Sequence, residues 1–182
     1  MSLASLSILL GVVIAAPQVY QLTNPAGWRK WSADFPRSKT IGRFLVLLAT
    51  GWFLYHVQNE TLADFTRFKP YMLAGFGAIG VLTCVYVTDF LAARGLALIL
   101  LLAGKCMVDT ARWHESDWRC VITALAYVWV VAGIWFTISP WRVRDFIAWN
   151  NATDGRLKTL ASLRLIFALL LIVLGATVLR IR

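Results

Sequence analysis

A lysine and an aspartate close to the end of an apolar run are the residues whose spacing points most directly to chemistry. Lys105 follows ten mostly apolar residues, and Asp109 comes four residues later. Residues at that spacing share one face of a helix, so we expect the two side chains to interact. Ionisable groups inside a membrane span often mark a path for ions or protons. The simpler interpretation is that Lys105 extends its long side chain to the membrane surface, with Asp109 as a structural partner.

The two histidines, His56 and His114, suggest a second kind of chemistry. Each lies at or after the end of an apolar run, and two histidines on different spans can supply the axial ligands of a haem. The stretch around His114 also contains residue types that bind metals, namely Cys106, Asp109, Glu115, Asp117 and Cys120. Their spacing matches no zinc pattern, so a solvated polar loop without a cofactor is the favoured interpretation. Outside the cytoplasm, Cys106 and Cys120 could also form a disulfide.

Sequence patterns typical of enzymes are absent. The chain contains no phosphate-binding loop, no nucleophile elbow and no pair of carboxylates placed for acid–base work. Asp145 and Asp154 lie in a basic stretch, where solvated ion pairs explain them. The three cysteines include no CxxC pair, and Cys84 lies in an apolar run as a small buried residue would. We therefore predict a protein that is not an enzyme.

The elements that carry these residues are apolar helices. Of the 182 residues, 59% are hydrophobic and only 15% are charged, against about 45–50% and about 25% in soluble domains. The composition predicts an all-α polytopic membrane protein with about six transmembrane helices, or five if the short first or fourth run does not cross. The apolar runs cover residues 3–19, 41–57, 71–87, 95–108, 121–138 and 160–179.

We expect one membrane domain, residues 1–182, built from three hairpins. The first covers residues 3–58, the central one residues 70–112 and the last residues 118–180. Between the third and fourth runs we expect a short polar break from Asp89 to Arg94. The central hairpin contains Gly75, Gly77 and Gly80, which would permit close helix packing.

The charge distribution predicts an orientation. Eighteen basic residues against nine acidic ones give a formal net charge of +9. In a membrane protein such an excess marks cytoplasmic loops, so we expect no nucleic-acid partner. The loops after the first and fifth runs are basic, whereas the loop after the fourth run is acidic. The positive-inside rule then places the basic loops in the cytoplasm and, for six spans, both termini in the periplasm.

The two basic loops resemble each other, which predicts an internal repeat. In each, a proline is followed four residues later by an arginine and six residues later by an aromatic residue. The members of the first loop are Pro25, Arg29 and Trp31, and those of the second are Pro140, Arg144 and Phe146. Because proline suits the first turn of a helix, each loop should contain an amphipathic helix. We therefore relate the first hairpin to the last by duplication.

These segments are expected to lie along the membrane surface. Their aromatic rings would point toward the apolar core and their cations toward anionic headgroups. The residues predicted to contact lipid or a partner are Trp28, Arg29, Lys30, Trp31, Arg43, Trp141, Arg142, Arg144 and Arg164.

The repeated unit resembles the YjeT-like proteins, a family of small bacterial inner-membrane proteins that each form one two-helix hairpin. The matching residues are Pro25, Trp28, Arg29, Lys30, Pro36 and Arg43 in the first unit, and Pro140, Arg144 and Arg164 in the second. Trp141 is displaced, no proline marks the second turn, and the glycines after the arginine are replaced in both units. The resemblance implies a bacterial inner-membrane hairpin and no particular activity.

The sequence favours an accessory or assembly subunit, or a lipid-contacting scaffold, of the bacterial inner membrane. Its expected partners are membrane lipids, especially anionic ones, together with another membrane protein or a second copy of the chain. Two alternatives stay open. One is a small transporter or channel with Lys105 and Asp109 in its path, and the other is a haem- or metal-binding redox subunit that uses His56 and His114.

Overall fold

The computed structural model describes residues 2–60 and 66–180 and consists of helices. The described residues contain no strand. Three single-turn 3-10 helices, Phe35–Arg37, Thr66–Phe68 and Val178–Arg180, accompany the α-helices. The α-helices are α1 (Leu3–Thr23), α2 (Pro25–Asp34), α3 (Lys39–Asn59), α4 (Lys69–Tyr86), α5 (Leu91–Ala111), α6 (Arg119–Ile138), α7 (Trp141–Asn150) and α8 (Asp154–Ala176).

Five stretches of the described chain are long and apolar enough to cross a membrane. They are α1, α3, α5, α6 and the stretch Asp154–Arg180, which contains α8. This confirms the predicted all-α, polytopic membrane protein. The two runs expected to be short, in α1 and α5, are both among the five, whereas α4, with 18 residues, is not.

The fourth span begins earlier than the sequence predicts. Helix α5 starts at Leu91, inside the expected polar break, because Leu91, Ala92 and Ala93 are buried. A side chain at Gly42 of α3 would lie 2.7 Å from the backbone nitrogen of Ala92, so the two helix starts are in close contact. The break itself is short, and Phe90 adopts a φ of 53° directly before the helix.

Hydroxyl side chains set the first residue of three long helices. Ser2, Ser38 and Thr153 each have an extended backbone and accept a hydrogen bond from the backbone N–H three residues later. Such caps satisfy donors that the helix cannot pair internally. The starts of α3 and α8 are therefore fixed directly after the two basic segments.

The chain divides into two compact units. The first unit comprises residues 1–33, 103–131 and 144–182. In it α1 packs antiparallel along α8: the Ser7 hydroxyl donates to the Leu171 carbonyl at 2.7 Å, and the Gln21 amide donates to the Leu157 carbonyl at 3.2 Å. A side chain on Gly11 would meet the Ala168 carbonyl, so the backbones approach closely there.

The second unit comprises residues 34–102 and 132–143. In it α4 packs antiparallel on α3, with Gly80 against Thr50 and the Cys84 thiol 3.9 Å from the Arg43 carbonyl. Cys84 is buried, as expected. Of the three glycines expected to allow close packing, only Gly80 does so. A side chain on Gly75 would meet nothing within 4 Å, and one on Gly77 would make only an ordinary contact with Leu54 at 3.6 Å.

Candidate membrane-surface site

Two short helices interrupt the long apolar ones, and both lie where the sequence places the basic segments. Helices α2 and α7 have ten residues each. Pro25 is the first residue of α2, and the Asn24 side chain accepts a hydrogen bond from the Gly27 N–H at 2.9 Å. Pro140 directly precedes α7. The structure thus agrees with the prediction that a proline marks the start of a short helix in each basic loop.

Polar side chains of the first unit attach α2 to the segment between α7 and α8. The Asn151 amide donates to the Ser32 hydroxyl at 2.9 Å, and Ser32 is buried. Arg29 forms an ion pair with Asp154, the first residue of α8. Because this pair is partly exposed, it contributes little stability, but it fixes which way Arg29 points. The two basic segments are thereby neighbours.

Large aromatic rings on α2 and α7 remain half-exposed. The exposed fractions are 46% for Trp31, 47% for Trp141, 49% for Phe146 and 51% for Trp149. Trp28 is less exposed and packs between Tyr20 and Trp31, with ring centroids 6.3 Å and 5.4 Å away. Tryptophan combines an apolar ring with an N–H donor, so it prefers the boundary between membrane and water.

Arginines and aromatic rings alternate along α7 and the start of α8. The Arg156 guanidinium lies 4.9 Å from the centre of the Trp149 ring, and Arg164 lies 5.8 Å from that of Phe146. The two rings stack on each other at 6.2 Å. Arg164 lies where α8 becomes apolar, and its charge is attracted there to the face of the Phe146 ring. We call these four residues the arginine–aromatic stack.

The other predicted contact residues differ in how well they are paired. Arg144 lies 2.9 Å from Asp145, its neighbour in sequence, and Arg142 lies 5.9 Å from the Trp135 ring. Lys30 is exposed, and no described carboxylate pairs with Lys30 or Arg142. Arg43 lies exposed near the start of α3, in the second unit.

Several buried polar residues near this site are absent from the sequence-based selection. Gln18, Gln21, Ser32 and Asn150 are buried in the first unit. Side-chain oxygens of Gln18, Gln21 and Asn150 have no hydrogen-bond partner among the described residues. Gln18 and Gln21 stand three apart after Pro17 in an apolar helix. Polar residues at that spacing in a span are the signal that could have revealed them.

Lys105 and Asp109 form the expected pair. Their charged atoms are 2.6 Å apart on one face of α5. The side chains are 44% and 56% exposed, so the pair lies on the outside of the helix rather than in an enclosed passage within the first unit. Asp109 lies two residues and Lys105 six residues before the end of α5, within reach of the membrane surface for a long lysine side chain.

The structure gives the two histidines separate surroundings. His56 belongs to the second unit, where its ring stacks on Trp52 at 6.3 Å. His114 belongs to the first unit, where its Nδ1 accepts a hydrogen bond from the Ser116 N–H at 3.2 Å.

The residue types around His114 do not gather into a metal site in the described part of the chain. There, no three His, Cys, Asp or Glu side chains come together as they would around a metal ion. Cys106 and Cys120 are free thiols, so the disulfide considered for them is not formed.

Comparison with known protein families, with curated proteins and with solved structures finds no match for this chain. The similarity to the YjeT-like proteins therefore rests on the motif residues alone.

Proposed function

We propose that this multi-pass membrane protein is an accessory or scaffold protein that contacts anionic lipid headgroups through α2 and α7. The observation that carries the proposal is the pairing of two ten-residue helices that present half-exposed tryptophans next to cations. Helices of this kind bind the membrane surface by burying aromatic rings and attracting anionic lipids. No catalytic role is part of the proposal.

The different contacts of the basic residues support this role. Arg29, Arg156 and Arg164 are engaged with Asp154 or with rings, so they shape and hold the segments. Lys30 and Arg142 have no described carboxylate partner, so their charges are available to a phosphate, although Arg142 also lies against the Trp135 ring. A basic residue near an anionic membrane surface contributes roughly 1 kcal/mol of attraction. These two are the residues from which we expect most of the lipid selectivity.

Lipid retention measured by native mass spectrometry tests the proposal. The wild-type protein, purified in mild detergent, is titrated with phosphatidylglycerol and with phosphatidylcholine. We expect tighter retention of phosphatidylglycerol. Loss of two cations in the double variant Lys30→Gln, Arg142→Gln should weaken that retention about tenfold or more while leaving phosphatidylcholine unaffected.

The matched control removes two exposed cations elsewhere, Arg67 and Arg112, in the double variant Arg67→Gln, Arg112→Gln. It lowers the net charge by the same amount and should retain phosphatidylglycerol as the wild type does. Equal loss in both double variants would show a general charge effect, and no loss in the first would contradict the proposal.

We further infer that the basic segments face the cytoplasm of a bacterial cell and that residues 3–58 and 118–180 arose by duplication. The equal lengths of α2 and α7 support the second point, as does the shared order of long helix, short helix and long helix. The excess of basic residues in both loops supports the first.

A further inference from the structure

A cavity of about 480 Å³ lies in the first unit, at the end of α1 opposite to α2. Its walls are formed by the first two turns of α1, by the end of α5 and the turn that follows it, and by Val178–Arg180 after α8. Sites for small molecules usually measure about 300–1,000 Å³. The cavity is therefore large enough for a small ligand, and it is separate from the surface formed by α2 and α7.

Part of the cavity lining is suited to a negative charge. Arg180 lines it, and no described carboxylate either lines the cavity or pairs with that guanidinium. His114 also lines it; because its Nδ1 accepts a hydrogen bond, the neutral ring carries its proton on Nε2 and can donate there. The hydroxyls of Ser2 and Ser5 lie at the start of the 21-residue α1, whose dipole adds positive potential.

The rest of the lining is largely apolar. Leu3, Ile8 and Leu179 contribute hydrocarbon, and the largely exposed Trp113 adds its indole ring. A bare inorganic anion would leave these groups without contact. The geometry points to a small amphiphilic anion, a phosphate or carboxylate joined to a short apolar group. Such a group can come from a free solute or from a lipid.

Calorimetric titration with butyl phosphate tests this site, with the full chain held in phosphatidylcholine nanodiscs. Inorganic phosphate carries only the charged group of this probe and butanol only its apolar group. Each should bind more weakly than butyl phosphate. Arg180→Gln removes one charge-assisted hydrogen bond and should raise the Kd at least about tenfold. His114→Gln should raise it by a smaller factor. Lys158→Gln, which removes an exposed charge near the opposite end of α8 without lining the cavity, should leave the Kd unchanged.

Failure of butyl phosphate to bind, or equal affinity in wild type and Arg180→Gln, would overturn the site. Repeating the titration in phosphatidylglycerol nanodiscs distinguishes the two sources of the anion. A lipid occupant would weaken butyl phosphate binding to the wild type there, whereas a free-solute site would keep its affinity. Lipid retention by α2 and α7 does not enter this measurement, so the two proposals can fail separately.

Discussion

At the scale of single residues, two glycines, one in each Arg-led helix of the proposed repeat, have opposite surroundings. A side chain on Gly175 of α8 would lie 2.7 Å from the Ala4 carbonyl oxygen, which is backbone and cannot move aside easily. A side chain on Gly51 of α3 would meet nothing within 4 Å. The sequence shows a glycine in an Arg-led apolar helix in both cases, and only long-range packing distinguishes them.

This difference gives a matched pair of variants. Gly175→Ala should lower the free energy of unfolding by about 1–3 kcal/mol, because α1 and α8 must separate to admit the methyl group. Gly51→Ala adds the same methyl group in open space and should be neutral, or stabilising by up to about 1 kcal/mol. Unfolding in SDS titrations measures both. A Gly175→Ala protein as stable as the wild type would show that α1 and α8 do not approach as described.

Local sequence patterns predicted many of these elements. Apolar runs located the long helices, and Pro25 and Pro140 located α2 and α7 to within a residue. The start of α5 was missed because Leu91 and Ala92 contact Gly42 of α3, which is distant in the sequence. The arginine–aromatic stack and the burial of Gln18 and Asn150 depend likewise on partners distant in the chain.

At the scale of elements, the antiparallel contact of α1 with α8 bears on the number of spans. Ser2, before α1, and Arg180, after α8, line one cavity of the first unit. We therefore expect both ends of the described chain on one side of the membrane, which would require an even number of crossings. Helix α4 has 18 residues, which corresponds to about 27 Å of helix. Since that nearly equals the hydrocarbon thickness of about 30 Å, we expect α4 to be the sixth span.

Cysteine accessibility checks this count. In a background with Cys84, Cys106 and Cys120 changed to alanine, the single variants Ser2→Cys and Arg180→Cys should react with a membrane-impermeant maleimide from the same side. Lys30→Cys serves as the reference and should react from the other side. Labelling of Ser2→Cys and Arg180→Cys from opposite sides would contradict both the even number of crossings and the antiparallel contact of α1 with α8.

At the scale of the whole molecule, the two ends of α1 differ in chemistry. Tryptophans and basic residues gather around α2 and α7, where the described helices leave rings half-exposed. The cavity with Arg180 and His114 lies at the opposite end of α1. Charge counting in the sequence indicated the first feature, whereas the second needs residues from both ends of the chain and could not be predicted locally.

The membrane depth of α2 and α7 decides whether these helices lie at the lipid surface. Spin labels on the exposed residues Ala33 and Ala148, introduced as Ala33→Cys and Ala148→Cys in the cysteine-free background, report depth through relaxation by oxygen and by a water-soluble nickel chelate. We predict that both labels lie at the level of the lipid phosphates in phosphatidylglycerol bilayers. Labels that are fully exposed to the nickel chelate and beyond the reach of membrane oxygen would contradict it.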